Sequence, residues 1–123
     1  MQSTQDLIEK ELLRLCHEGH FEAFLLFDNE GIPMAGVNLS EHYHQDGIAA
    51  LSALLIRSAE LTEEFNADAV VDEITLRTVN NFRIVGRAFL AHETKLILVA
   101  IVPQHYSYRK ITTDAVRKVR QFF

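Results

Sequence analysis

The chain has 123 residues, 48% of them hydrophobic and 24% charged, with only five glycines and two prolines, so it carries enough apolar material for one buried core and is not a disordered chain. Its net charge of −5 excludes a general nucleic-acid binder, which needs a basic footprint, and its single cysteine, Cys16, excludes an internal disulfide. The longest uncharged apolar stretch, Ile48 to Ile56 with Ser52 inside it, falls far short of the ~20 residues of a membrane-spanning helix.

The N-terminus, MQSTQDLIEKELL, has acids where a secretory signal has a basic start and an apolar block. A single domain over residues 1–123, cytoplasmic and without a transmembrane segment, is expected. Residues 4 to 18 read as a helix. Thr4 is placed to cap it, Asp6 suits its positive end, Leu7, Ile8, Leu12, Leu15 and Cys16 recur at helical spacing, and Gly19 marks its stop. Cys16 falls on the apolar side, where a thiol is an inert packing residue.

Phe21 to Phe27 and Ile32 to Val37 read as strands joined through Asp28-Asn29-Glu30-Gly31. A polar segment ending in Gly between two β-rich runs is a hairpin signal, with Gly31 in the left-handed conformation. A calcium loop would need further oxygen ligands where Ile32, Pro33 and Met34 stand. A phosphate loop would need more glycines and a following Lys. The segment reads as a turn.

A polar loop with His42, Tyr43 and His44 leads to a long helix, Gly47 to about Asn66, which Asp46 would cap. Three strands follow: about Val70 to Val79, Phe82 to Leu90 after a tight Asn80-Asn81 turn, and Lys95 to Val102 after a turn at Ala91 to Thr94. They should form an antiparallel meander. Pro103 ends the last strand, and a final helix starts near Ser107 and runs almost to Phe123. The fold class is therefore α+β: one five-stranded antiparallel sheet with helices on both faces, order α-β-β-α-β-β-β-α, a profilin-like layout.

The long helix is too apolar for one sheet to cover. On a helical wheel, Arg57, Glu60, Glu63 and Glu64 crowd into about a third of the circle. Ile48, Ala50, Leu51, Leu54, Leu55, Ala59, Leu61 and Phe65, with small Ser58 and Thr62, fill most of the rest. The surplus predicts a symmetric partner. In the final helix Tyr108, Ile111, Ala115, Val116, Val119 and Phe122 share one arc, opposite Arg109, Lys110, Arg117 and Arg120, as in an amphipathic helix docked on a sheet.

Catalytic signals are weak. His42 and His44, with Glu41 and Asp46 nearby, have loop spacing compatible with metal ligands but lack a third firm one, and Gly19 separates His17 from His20. Ser40, Ser52, Ser58 and Ser107 have no nucleophile-elbow context. No catalytic residue, metal or cofactor is expected.

The stretches HFEAFLLFDNEGIPMAGV, DGIAALSALLIRSAELTEEF, LILVAIVP and YRKITTDAVRKVRQFF, in that order, resemble the Roadblock family, related to the Roadblock light chain of dynein and to bacterial and archaeal small-GTPase regulators. The resemblance covers nearly the whole chain, though profilin-like and longin-like domains share much of the layout. It implies a homodimer, or a heterodimer with a sister protein, in which the long helices pack together and the third strands join into one sheet. It also implies a small Ras-like GTPase as partner, activated, inhibited or scaffolded on the face bearing the paired helices. On that basis Ala49, Ala53, Ile56, Arg57 and Glu60 would face outward to the partner. Leu51, Leu54, Leu55, Ser58 and Leu61 would divide between the dimer seam and the sheet, with Thr75 and Arg77 in edge pairing. An arginine finger at Arg57 competes with ordinary helical ion pairs to Glu60 and Glu64, which is the preferred reading. The alternative function is a sensory module with a ligand pocket between sheet and helices, lined by Phe82, Phe89 and Tyr106.

Overall fold

The computed structural model describes residues 2–79 and 81–123. Helix α1 spans Thr4–Gly19, and its N-cap is Ser3 rather than Thr4. Ser3 and Asp6 form a capping box: the Asp6 N–H donates to Ser3 Oγ at 3.1 Å and the Ser3 N–H to Asp6 Oδ2 at 3.3 Å. Ile8, Leu12, Leu15 and Cys16 are buried, whereas Leu7 lies off the stripe and is exposed. The left-handed residue closing α1 is His20 (φ 58°), not Gly19. Gly19 is needed for a different reason: a Cβ there would stand 2.8 Å from the Phe21 ring.

Strands β1 (Ala23–Asp28) and β2 (Pro33–Asn38) lie one to two residues later than expected. Phe21 is drawn back to α1 by its N–H bond to Cys16 O at 2.9 Å. Between the strands Gly31 is left-handed (φ 84°), and Asp28 Oδ1 accepts from the N–H groups of Glu30 (2.9 Å) and Ile32 (3.0 Å). The carboxylate is thus turned onto its own backbone, the act of a turn residue. Asp28→Ala should cost about 1–2 kcal/mol, since two local hydrogen bonds vanish. Urea unfolding checks this, with a lower midpoint at unchanged slope as the expected result.

Helix α2 is Gln45–Phe65, and His44 stands at its N-cap with no side-chain cap. Asp46 therefore lies inside the first turn, where its charge still favours the helix N-terminus, instead of capping it. Strand β3 is only Glu73–Arg77, shorter than Val70 to Val79. Just before it, Glu63 on α2 accepts the Val71 N–H at 3.0 Å. Strands β4 (Phe82–Ala91) and β5 (Thr94–Pro103) pair along their full lengths. Helix α3 is Arg109–Arg120, starting two residues past Ser107 with Tyr108 at its N-cap. The expected Asn80-Asn81 turn falls partly on Asn80, outside the described residues.

The five strands form one sheet of order β2-β1-β5-β4-β3, with every pairing antiparallel. Helix α2 covers one face, over Leu25, Phe27, Ile84, Ile97, Val99 and Ile101. Helices α1 and α3 cover the other, over Phe24, Leu26, Val85, Leu98, Ala100 and Val102. Both faces are dry along β5, so β5 reads as an unbroken apolar run. Cys16 sits in the second core, where burial pushes its thiol up to about 12 and Sγ donates to Phe21 O at 3.2 Å. The native protein should resist thiol reagents at pH 8 and react fully once unfolded in urea, which a colorimetric thiol assay can read.

Candidate protein–protein interface

Helix α2 buries one narrow stripe, Ile48, Ser52 and Leu55, against the sheet. Leu55, expected to belong to either the seam or the sheet, packs on the sheet and reaches Gly86. The β1–β2 turn leans on one flank of the helix, where Gly31 abuts Ala53 and Ile56. Ala49 and Ile56 are half-buried and packed on the sheet-side core instead of facing outward. Ala53, Arg57 and Glu60 are exposed as expected.

The flank across the helix from Ile56 runs on the β3 side of the sheet, by the rotation of ~100° per residue. It carries half-buried Leu51 and exposed Leu54 (62%), Leu61 (48%) and Phe65 (92%). Its polar members are muted. The Ser58 hydroxyl donates to Leu54 O at 2.9 Å and Thr62 to Ser58 O at 2.8 Å, so both spend their donors on the helix backbone. Leu76 on β3 is 45% exposed on the same sheet face, because it pairs with Ile84, a residue beneath α2. Sequence reading counted Phe65 in the surplus apolar arc but not among the named seam residues, and left Leu76 out, although the alternation in EITLR puts Ile74 and Leu76 together on one face.

The two edges of the sheet differ. On β2, the Gly36 N–H donates to Glu9 Oε2 of α1 at 2.9 Å, which blunts that edge. On β3, the outer edge has no strand or side chain across it among the described residues. Thr75 and Arg77 are exposed there. The apolar flank of α2 thus runs beside an open strand edge.

Arg57 is exposed and paired with Glu60 (3.1 Å) and Glu64 (3.5 Å) on its own helix, as the ion-pair reading expects. Phe82, Phe89 and Tyr106 do not line a common pocket. Phe82 packs edge-on to Tyr43, with centroids 5.1 Å apart, and Tyr106 stacks on His20 at 4.6 Å. A cleft of about 270 Å³ does lie between the C-terminal half of α2 and the β4–β5 hairpin, with Ile56, Ala59, Phe89 and Ile97 in its walls. Lys95 bridges it to Glu63 at 3.1 Å, and the Val71 N–H and Lys95 hold the Glu63 carboxyl below its ordinary range. His42 and His44 stay on an exposed loop, and among the described residues no three His, Cys, Asp or Glu side chains gather at metal-binding spacing. Among those residues no helix is long and apolar enough to cross a membrane.

A five-stranded antiparallel sheet in this order, with one long helix on one face and two helices on the other, is the Roadblock/LC7 fold. No protein-family profile matches the chain, and no curated protein matches its sequence. Solved structures do. A structure of MglB with a tetrameric arrangement superposes with a TM-score of 0.79 at 15% identity, covering 99% of this chain and 91% of the other. Myxococcus xanthus MglB gives 0.75 at 11% identity, over 99% and 88% of the two chains. A Roadblock/LC7 domain from Streptomyces avermitilis gives 0.69 at 11% identity, over 92% of each. At these identities the likeness is one of fold.

Proposed function

We propose that this chain is a non-enzymatic, dimeric regulator or scaffold of a small Ras-like GTPase, working through paired α2 helices. The observation that carries the reading is the apolar flank of Leu51, Leu54, Leu61 and Phe65 lying beside an unblocked β3 edge. Two copies joined there would bury both features at once, with Ser58, Thr75 and Arg77 in the seam. Such pairing would leave Ala53, Arg57 and Glu60 on the outer surface of the joined helices, as a composite face for the GTPase. The fold shared with MglB supports the same direction. Arg57, tied to two glutamates, serves that face as a surface ion pair, not as a catalytic finger.

The test is capture from native lysate on immobilised protein, with GDP in one arm and a non-hydrolysable GTP analogue in the other. A Ras-sized GTPase enriched in one nucleotide state, and lost with Leu54→Glu, is the expected result. Equal capture in both arms marks a scaffold. Absence of any GTPase from both arms overturns the proposal. A second reading, a module for a small apolar ligand, rests on the cleft beneath Ile56 and Ala59. It predicts that a bound fluorescent apolar probe is displaced by Ala59→Trp.

A further inference from the structure

Backbone and side chains of β3 face different surroundings. Asp72 O accepts from the Ala88 N–H at 2.9 Å, and the Thr78 N–H donates to Phe82 O at 3.0 Å. Such groups alternate along an antiparallel ladder, so the backbone groups of Glu73, Thr75 and Arg77 point away from β4. Their side chains share the sheet face opposite α2, since Thr75 pairs with Val85 of the α1/α3-side core.

Charges on that face are matched at one end of the strand and unmatched at the other. Glu73 stands opposite Arg87, and Arg87 also meets Asp72 at 3.4 Å. Arg77 stands opposite Arg83, a like-charge pairing that destabilises a sheet. Among the described residues neither of these two arginines has a carboxylate within ion-pair distance, in a chain whose net charge is −5. Arg83 Nη2 donates to the carbonyls of Pro103 and Tyr106, and its guanidinium lies 5.0 Å from the centre of the Tyr108 ring. These contacts hold the group in place without neutralising it. Arg83 Nε is buried with no partner among the described residues, so a desolvated cation is left partly unsatisfied.

Arg77 and Arg83 line one open hollow of about 400 Å³ with residues 104–107, which lead from β5 toward α3. His105 and Ser107 bring an imidazole and a hydroxyl to the same hollow. Helix α3 begins just beyond, with no side-chain cap and no acid in its first turn, so its positive end is uncompensated.

We infer that this hollow binds a phosphomonoester, with Arg77 and Arg83 as its anion clamp. Two guanidinium charges match a phosphate dianion, and the planar fork of each arginine fits two phosphate oxygens. A carboxylate would leave one of the charges unmatched. The hollow is larger than a phosphate group and has room for the substituent that the ester carries. A soluble metabolite and a lipid headgroup present the same chemistry to the arginines. The site does not depend on the dimer proposed above, because Arg77 gives its backbone to the open edge and its side chain to the opposite face from α2.

Isothermal titration calorimetry with inorganic phosphate tests the clamp on the unmodified chain. Two further arms identify the source: glycerol 3-phosphate in solution, and co-sedimentation with phosphatidylcholine vesicles with and without phosphatidic acid. Phosphate should bind one-to-one, and acetate about tenfold or more weakly than phosphate. Arg77→Gln should weaken phosphate binding about tenfold or more. Arg77 is exposed, so the variant should fold, and its melting temperature without phosphate should be unchanged or higher once the like-charge pair is gone. Lys10→Gln removes the same charge from an exposed position on α1 and should leave binding unchanged. Arg77-dependent binding of glycerol 3-phosphate assigns a soluble ester, and Arg77-dependent capture by phosphatidic acid vesicles assigns a headgroup. Binding in no arm, or binding that Arg77→Gln leaves intact, overturns the proposal, and neither result bears on the dimer.

Discussion

Leu54→Glu should yield a folded protein that no longer forms the proposed dimer. Leu54 is 62% exposed in the single chain, so the change removes little intramolecular packing, and glutamate is a good helix former. Folding stability should shift by no more than about 0.5 kcal/mol, as expected for a surface site. In the dimer the same change acts twice, once from each copy. Burying a Leu side chain contributes about 1.5–3 kcal/mol, and burying an unpaired carboxylate is unfavourable besides. The dissociation constant should therefore rise by at least about a hundredfold. Thermal melting by circular dichroism and light scattering behind size exclusion separate the two effects. An unchanged oligomer would mean that the flank of Leu51, Leu54, Leu61 and Phe65 is not the seam.

Phe24→Ala acts in the opposite compartment and threatens the fold itself. Phe24 is fully buried on β1 between neighbours β2 and β5, and it meets Phe21 edge-on at 5.2 Å and 77°. Phe21 in turn holds the end of α1 through its bond to Cys16 O and its ring against Gly19. Truncation removes the transfer free energy and leaves a cavity that the rigid strand pairings on both sides prevent from closing, at about 3–5 kcal/mol. Against a typical stability of about 5–15 kcal/mol, that is a large fraction. Differential scanning calorimetry should show a melting temperature lower by on the order of 10–20 °C. A drop of only a few degrees would mean that the site relaxes, and that the α1-side core is less rigid than its strand pairing implies.

The type and order of every element were legible in the sequence because the cues are local: apolar period, turn residues and the stop after Val102. What was lost at the ends was lost to side chains from elsewhere. Ser3 outcompeted Thr4 as cap because Asp6 lies at the spacing that closes a capping box on Ser3. Strand β3 starts only at Glu73, and the Val71 N–H ahead of it is bound by Glu63 of a different element. The pairing of β1 with β5, across most of the chain, has no local signature at all. The interface divides in the same way. Leu54, Ser58 and Leu61 were readable from the wheel, since surplus apolar arc is a property of the helix alone. The half-burial of Ile56 was not, because it depends on where the Gly31 turn comes to rest.

A second copy is expected to cover the α2 flank and the β3 edge together. Hydrogen–deuterium exchange of the purified protein, followed by mass spectrometry at several protein concentrations, tests it most directly. Amides of Glu73, Thr75 and Arg77 face outward in the single chain and should exchange rapidly at high dilution. As concentration rises, they should become protected together with residues 51–65 of α2, while the β2 edge at Pro33–Asn38 stays unchanged. Rapid exchange of β3 at every concentration, with a constant mass of 14.0 kDa, would mean that no second copy covers this edge.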